Sequence, residues 1–178
     1  MEESKSTPDL TTRAVGTRYG VIFGAISIVY FLIFTLLEVD MSSGFARWGT
    51  TLISIVIIFL AHKYFKDNGD GFMAYGQGLG IAFWIALIAS ALSSVFTYIY
   101  IKFIDTGYID MIRQKSIEQM EAQGQSEEQI EVAMKFVNMF TSAEALLGIG
   151  LIFGVIILMV VSLIITIFTQ KPQPESSI

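Results

Sequence analysis

Four long apolar segments, separated by polar connections, dominate the pattern of the chain. They cover residues 19–37, 46–62, 76–101 and 145–169. An α-helix rises about 1.5 Å per residue, so segments of these lengths roughly match a hydrocarbon core of about 30 Å. The second segment is the shortest, but Trp48 lies at one of its ends and Tyr64 at the other, where aromatic rings gather at membrane interfaces. The pattern predicts an all-α membrane protein with four transmembrane helices in a bundle.

A polar insert at 105–143 separates the third and fourth apolar segments, and its pattern is helical. Its first half carries a loose apolar stripe, Gly124 interrupts the pattern, and Ser126 with Gln129 has the residue types of a capping box that starts a new helix. In that second helix Ile130, Ala133, Met134, Val137 and Phe140 follow the three-and-four spacing of one helix face. We therefore expect a helical hairpin between transmembrane helices 3 and 4.

The hairpin is also where the negative charge of the chain lies. Residues 105–144 hold eight acidic and three basic residues, a balance of −5 that equals the net charge of the whole chain. Such a surface disfavours nucleic acid and anionic lipid and suits a basic patch on a partner or a loosely held cation. Its candidate partner-binding face is Ile130, Met134, Phe136, Val137 and Phe140. The alternative is a solvated hairpin whose apolar faces pack only on each other.

Lysine and arginine residues near the segment ends predict the orientation. One side carries Lys5, Arg13, Arg18, Lys63, Lys66 and Lys171. The other side carries Arg47, Lys102, Arg113, Lys115 and Lys135, most of which are spread through the long acidic insert. This distribution predicts that both termini are cytoplasmic and that the hairpin faces outward. The first apolar segment is too long for a cleaved signal peptide, so we expect it to be retained as an anchor. The polar tails at 1–12 and 171–178 are expected to be disordered.

Small and hydroxyl-bearing residues mark the apolar segments themselves. Gly16, Gly20, Gly24, Gly150 and Gly154 recur at four-residue spacing, which predicts a helix-packing seam within the monomer or, alternatively, a homo-oligomer interface. Ser90, Ser93, Ser94 and Thr97 could line a narrow polar path. The alternative is that these hydroxyls make hydrogen bonds to neighbouring helices or to their own backbone.

Several chemistries find no support in the residues. The chain has no cysteine, and no charged residue lies deep inside an apolar segment, where coupled transporters place ionisable groups. The single histidine, His62, stands beside Lys63 at the end of the second segment without a nearby carboxylate pair, and we expect it to be an interface residue. The sequence therefore predicts no catalytic residue, no metal site and no cofactor.

The order of these parts resembles the family known as domain of unknown function 4199, small four-span membrane proteins found mostly in Bacteroidetes. The matching stretches are Arg18-Tyr19-Gly20 leading to Gly24, Asn68-Gly69 with Phe72 and Gly76-Gln77, YIYIKFID at 98–105, and QGQSEEQI at 123–130. The chain departs from the family where Thr106 and Gly107 follow Asp105, a place where relatives favour proline, so the entry to the hairpin is expected to bend differently. The resemblance implies four spans and a bacterial inner membrane, and it implies no activity.

These observations predict an integral membrane protein that acts as an accessory or scaffold. Its partners would be the lipid bilayer and another envelope component, which it would bind through the acidic hairpin, with a homo-oligomer as a further partner and no nucleic acid. The alternative is a small oligomeric channel or permease, in which several copies contribute serine and threonine faces to a pore. A membrane-embedded enzyme comes third, because the only cluster of carboxylates lies in the hairpin.

Overall fold

The computed structural model describes residues 10–37, 39 and 43–174, apart from the Arg47 side chain. These ranges are mostly helical and contain no β-strand. They hold the helices α1 (Thr12–Leu36), α2 (Gly44–Asn68), α3 (Tyr75–Ile99), α4 (Tyr108–Ala122), α5 (Glu127–Phe140) and α6 (Ala143–Thr169), and a π-helical turn (Tyr100–Ile104) extends α3. The prediction of an all-α protein is confirmed.

Four of these helices are long and apolar enough to cross a membrane, namely α1, α2, α3 with its π-helical turn, and α6. They contain 25, 25, 30 and 27 residues. At about 1.5 Å per residue each exceeds a hydrocarbon core of about 30 Å. Helices α4 and α5, with 15 and 14 residues, are too short to do so. The predicted number of helices long and apolar enough to cross a membrane is confirmed, and it indicates a multi-pass membrane protein.

Polar residues determine where the first two helices begin, seven positions before the first apolar segment and two before the second. The Thr11 hydroxyl accepts a hydrogen bond from the Ala14 amide at 3.1 Å, and α1 follows directly. The Ser43 hydroxyl accepts from the Ala46 amide at 3.3 Å at the start of α2. The first amides of a helix have no partner within the helix, so a hydroxyl at this position stabilises its start.

The described chain forms two compact units, one from residues up to 92 together with those from 154 onward, and one from 93 to 153. In the first unit, side chains from α1, α2, α3 and α6 and the α2–α3 loop share one core: Val15, Phe23, Ile57, Ile58, Ala61, Phe65, Met73, Ile81, Ile85, Ala89 and Ile165. Dispersion contacts between these closely packed side chains hold the helices of the unit together.

The outer side of the first unit is apolar as well. Its exposed side chains include Val21, Val29, Ile33, Leu52, Val56, Phe59, Ile156, Ile157, Val160 and Ile164. A helix on the surface of a water-soluble protein has polar residues on its exposed side, whereas a helix in lipid does not need them. The exposed surface therefore agrees with a multi-pass membrane protein.

A short pairing closes one end of the first unit. The Met73 amide donates to the Lys171 carbonyl oxygen at 2.8 Å, and the Lys171 amide donates back to the Met73 carbonyl oxygen at 2.9 Å. The Gln173 side-chain amide donates to Asp70 Oδ2 at 2.8 Å. The tail predicted to be disordered from 171 onward thus starts with paired residues, because backbone partners are available in the α2–α3 loop. Residues 1–9 and 175–178 lie outside the described residues.

The second unit contains the end of α3, helices α4 and α5, and the start of α6. Between the π-helical turn and α4, the Gly107 amide donates to Asp105 Oδ1 at 3.1 Å, a turn that asparagine and aspartate favour. The Tyr100 and Tyr108 rings make an edge-to-face contact at 6.1 Å, and the Lys102 ammonium pairs with the Glu144 carboxylate at 2.8 Å. Helices α4 and α5 contact each other after a turn in which Gly124 has a φ of +75°.

Candidate functional site

Helix α5 is the most amphipathic element of the second unit, and a capping box starts it. The Ser126 hydroxyl accepts a hydrogen bond from the Gln129 amide at 3.4 Å, and Gln129 Oε1 accepts one from the Ser126 amide at 2.9 Å. Glu127 and Glu128 lie in the first turn, where the helix dipole favours negative charge. The predicted capping box is confirmed.

The apolar residues of α5 fall on two adjacent faces. One face consists of Ile130, Ala133, Met134 and Val137, which are half-buried. The other consists of Val132, Phe136, Met139 and Phe140, which are 51%, 60%, 65% and 52% exposed, and we call these four residues the exposed strip. Because α4 contacts α5, we assign the half-buried face to the side toward α4. The exposed strip has no such cover.

The candidate partner-binding face predicted from the sequence divides between these two faces. Its members Ile130, Met134 and Val137 are half-buried, and only Phe136 and Phe140 are exposed. Val132 and Met139 are not members of the predicted partner-binding face, although they complete the exposed strip. Their position was visible in the sequence, because Val132 lies four residues and Met139 three residues from Phe136, and residues three or four apart share one side of a helix.

The polar side of α5 beside the exposed strip is acidic. Glu127 and Glu128 are exposed and lie in no ion pair within the described part of the chain. The only basic residue of the helix, Lys135, pairs with Glu131 at 3.3 Å. The start of α5 therefore presents uncompensated negative charge next to an apolar surface.

The hydroxyl residues of α3 occupy different environments. Ser90 and Ser94 are buried, at 6% and 7% exposure, whereas Ser93 and Thr97 are half-buried. A Cβ atom on Gly154 would collide with the Ser90 hydroxyl, and one on Gly150 would come within 2.8 Å of Ser94 Oγ. Two members of the candidate polar path thus face glycines of α6 at close range.

The glycines of α1 also lie at close helix contacts. A Cβ atom on Gly16 would come within 2.5 Å of Trp84 Cβ, and one on Gly20 within 2.9 Å of Ile88 Cβ. A Cβ atom on Gly24 would come within 2.9 Å of Leu92 Cδ1. These three glycines therefore allow α1 to lie directly against α3 of the same chain, with no room for even a methyl group between them.

His62 occupies a site that sequence reasoning missed. Its side chain is completely buried, which the expectation of an interface residue did not include. Nδ1 lies 2.7 Å from Thr169 Oγ1 of α6, and Nε2 lies 3.0 Å from the Gly78 carbonyl oxygen of α3. The Lys66 ammonium donates to the Thr169 carbonyl oxygen at 2.7 Å, at the end of α6. Polar contacts from α2 thus hold the ends of two other helices.

The hydrogen bonds of His62 constrain its protons. A carbonyl oxygen only accepts, so Nε2 carries a hydrogen toward Gly78. In the neutral ring Nδ1 then accepts from the Thr169 hydroxyl. Because that hydroxyl also lies 3.0 Å from the Ile165 carbonyl oxygen, it can turn there if Nδ1 is protonated. Both ring nitrogens of His62 thus have partners within the protein. Among the described residues, no three histidine, aspartate or glutamate side chains lie close enough together to hold a metal ion.

These features define a multi-pass, all-helical membrane protein with two short helices inserted between its third and fourth membrane-crossing helices. Within that class, the chain belongs to the family described as protein of unknown function, DUF4199, whose model matches residues 18–171. The resemblance stated from the sequence motifs is therefore confirmed. Neither a curated protein nor a solved structure matches the chain.

Proposed function

We propose that this protein is an accessory or scaffold of a bacterial inner membrane that binds another envelope component through α4 and α5. The observation that carries the proposal is the exposed strip on α5. Four large apolar side chains, each more than half exposed, lie side by side on a helix too short to cross the membrane. Contiguous apolar patches of this kind mark surfaces that another molecule covers.

The proposed architecture is a four-helix bundle that carries α4 and α5 as a hairpin on its outward side. The basic residues near the helix ends favour both termini in the cytoplasm, because lysine and arginine near membrane-crossing helices concentrate on that side. Arg13, Arg18, Lys63, Lys66 and Lys171 belong to this group. In this orientation α4 and α5 would meet components on the outer side of the membrane.

Removal of the hairpin tests the proposal. A variant in which a short glycine–serine linker replaces residues 108–140 should still insert into the membrane. It should lose the protein that co-purifies with the full chain after chemical crosslinking of native membranes. The measurement is quantitative mass spectrometry of the purified complexes, with alkaline extraction of membranes as the check on insertion.

A truncation after Pro174 is the matched control, because it shortens the chain outside α4 and α5. It should retain the co-purifying protein at the level of the full chain. If the hairpin-deleted variant retains it at that level too, the proposal that α4 and α5 bind a partner is wrong.

A small oligomeric channel or permease remains the alternative, and the geometry gives it less support. Ser90 and Ser94, half of the candidate polar path, are buried against glycines of the same chain. The half-buried Ser93 and Thr97 would have to carry the path instead. Solute flux into proteoliposomes that falls when Ser93 and Thr97 are replaced by alanine would favour the channel.

A further inference from the structure

We infer that the exposed strip is the anchor for a second protein that offers an apolar groove edged by lysine or arginine. This inference rests on the proposed function, since it names the chemistry of the partner that α4 and α5 would bind. It is drawn from the arrangement of apolar and acidic side chains on one helix.

The exposed strip has the geometry of a helix that lies in a groove. Phe136 is four residues from Val132, three from Met139 and four from Phe140, and residues three or four apart lie on one side of α5. Amphipathic helices that bind in hydrophobic grooves use anchors at this spacing. The adjacent half-buried face belongs to the contact with α4, so the strip is additional to what the hairpin needs for its own packing.

Helix α4 supplies no comparable surface. Met111, at 40% exposure, is the only large apolar side chain that is exposed within Tyr108–Ala122, all of which the structure describes. Its other apolar residues, Ile109, Ile112, Ile117 and Met120, are half-buried. The docking surface is therefore on α5 alone.

The charge beside the exposed strip argues for a basic edge on the partner. Glu127 and Glu128 are exposed without an ion-pair partner among the described residues, and Lys135 is engaged by Glu131. A lysine or arginine of the partner near the start of α5 would meet acidic groups that are not already paired with a basic residue of α5. Complementary charge of this kind determines orientation and speeds association.

The same charge argues against two other ways of covering the exposed strip, by the membrane surface or by a second copy of this chain. Helices that lie on a membrane surface carry lysine and arginine on their polar side, because these attract anionic headgroups, whereas α5 carries three glutamates and one lysine. A second copy of this chain would bring an identical acidic edge, and the single lysine of α5 is already paired. A partner of opposite charge satisfies both the apolar and the acidic part of the surface.

Photo-crosslinking of the full chain in native membranes tests this inference. A photoreactive residue replaces Met139 at one end of the exposed strip, and the crosslinked residue of the adduct is located by mass spectrometry. We expect a different protein, crosslinked at an apolar segment bordered by lysine or arginine. Phe136→Ser should lower the adduct yield about tenfold, the loss that removal of a central aromatic anchor causes.

Charge reversal at the start of α5 is the second test of this inference. Glu127→Lys with Glu128→Lys should lower the yield severalfold, and the Glu127→Gln with Glu128→Gln pair should give a smaller loss. The matched control is Glu118→Lys with Glu121→Lys, which makes the same change in net charge on exposed positions of α4 and should leave the yield unchanged. Amide exchange of α5 in each variant checks that the helix is retained.

Several results would overturn the inference. One is an adduct formed only with other copies of the chain. Another concerns a Phe136→Trp variant in which Trp48 and Trp84 are replaced by phenylalanine. Quenching of its fluorescence in vesicles of phosphatidylcholine brominated on its acyl chains would place the strip in the bilayer. If hairpin deletion removes the partner but Phe136→Ser and the charge reversals do not, the proposed function stands and this inference is wrong. If hairpin deletion has no effect, both are wrong.

Discussion

At the scale of single residues, His62 shows how a polar side chain can be stable inside an apolar helix assembly. Burial of an imidazole without partners would cost several kcal/mol, but both ring nitrogens have partners, on Thr169 and Gly78. Gly78 allows α6 to lie close to α3 at this level, since a Cβ atom there would come within 2.6 Å of Thr166 Cγ2. The residue acts as a junction between α2, α3 and α6.

We expect His62→Ala to lower the free energy of unfolding by about 3 kcal/mol. It would leave a cavity in a closed site and remove two hydrogen bonds whose partners stay buried. Thermal unfolding of the purified protein in detergent measures the change. Lys63→Ala, at the exposed neighbouring position, is the matched control and should change the stability little. Equal stability of the two variants would contradict the role of His62 as a junction.

At the scale of helices, close approach between α1 and α3 depends on the absence of side chains. Gly16 faces the Trp84 Cβ atom and the Ile81 carbonyl oxygen. The space for a side chain at this position is therefore limited partly by backbone atoms, which cannot rotate away. Weak contacts between closely packed backbones are the main source of attraction between helices in lipid, where the hydrophobic effect contributes little. The packing of these two helices therefore depends on glycine at this position.

Gly16→Ala should destabilise the protein by about 2 kcal/mol, because the added methyl group forces the helices apart. Gly148→Ala is the matched control, since a Cβ atom at Gly148 of α6 meets no atom within 4 Å. That change should be neutral or stabilising by up to about 1 kcal/mol, because alanine favours a helix more than glycine does. Unfolding in detergent compares the two variants. If Gly16→Ala is as stable as Gly148→Ala, α1 and α3 do not pack as closely as described.

At the scale of the whole molecule, residues far apart in the sequence hold one end of the first unit together. Lys171 pairs with Met73 through two backbone hydrogen bonds, and the Lys171 ammonium lies 5.2 Å from the centre of the Phe72 ring. Met73 itself is completely buried. The segment after α6 thus covers the α2–α3 loop instead of extending away from it.

Truncation before Lys171 should expose this loop. The Met73 amide would lose its acceptor, so its hydrogen exchange should become at least about tenfold faster, as expected when a local opening costs over 1 kcal/mol less. Exchange followed by mass spectrometry reports on the peptide that contains Met73. The truncation after Pro174 serves as the control and should leave the exchange unchanged. Slow exchange in both variants would show that Lys171 does not protect the loop.

Much of the architecture was predictable because it depends on local patterns. Apolar length alone predicts the four membrane-crossing helices, since a helix must be about 20 residues long to span the hydrocarbon core. The capping box at Ser126 and Gln129 was equally visible, because its two partners are three residues apart. The family was predictable from the order and spacing of short motifs along the chain.

Only the tertiary structure decided the environment of particular side chains. His62 stands among interface-type neighbours in the sequence, but its partners lie 16 and 107 residues away, so no local pattern could reveal its burial. The apolar positions of α5 were visible too, but which of them α4 covers depends on how two helices meet. Composition and periodicity thus determined the number, length and character of the helices, whereas burial and the exposed strip were decided by contacts between distant residues.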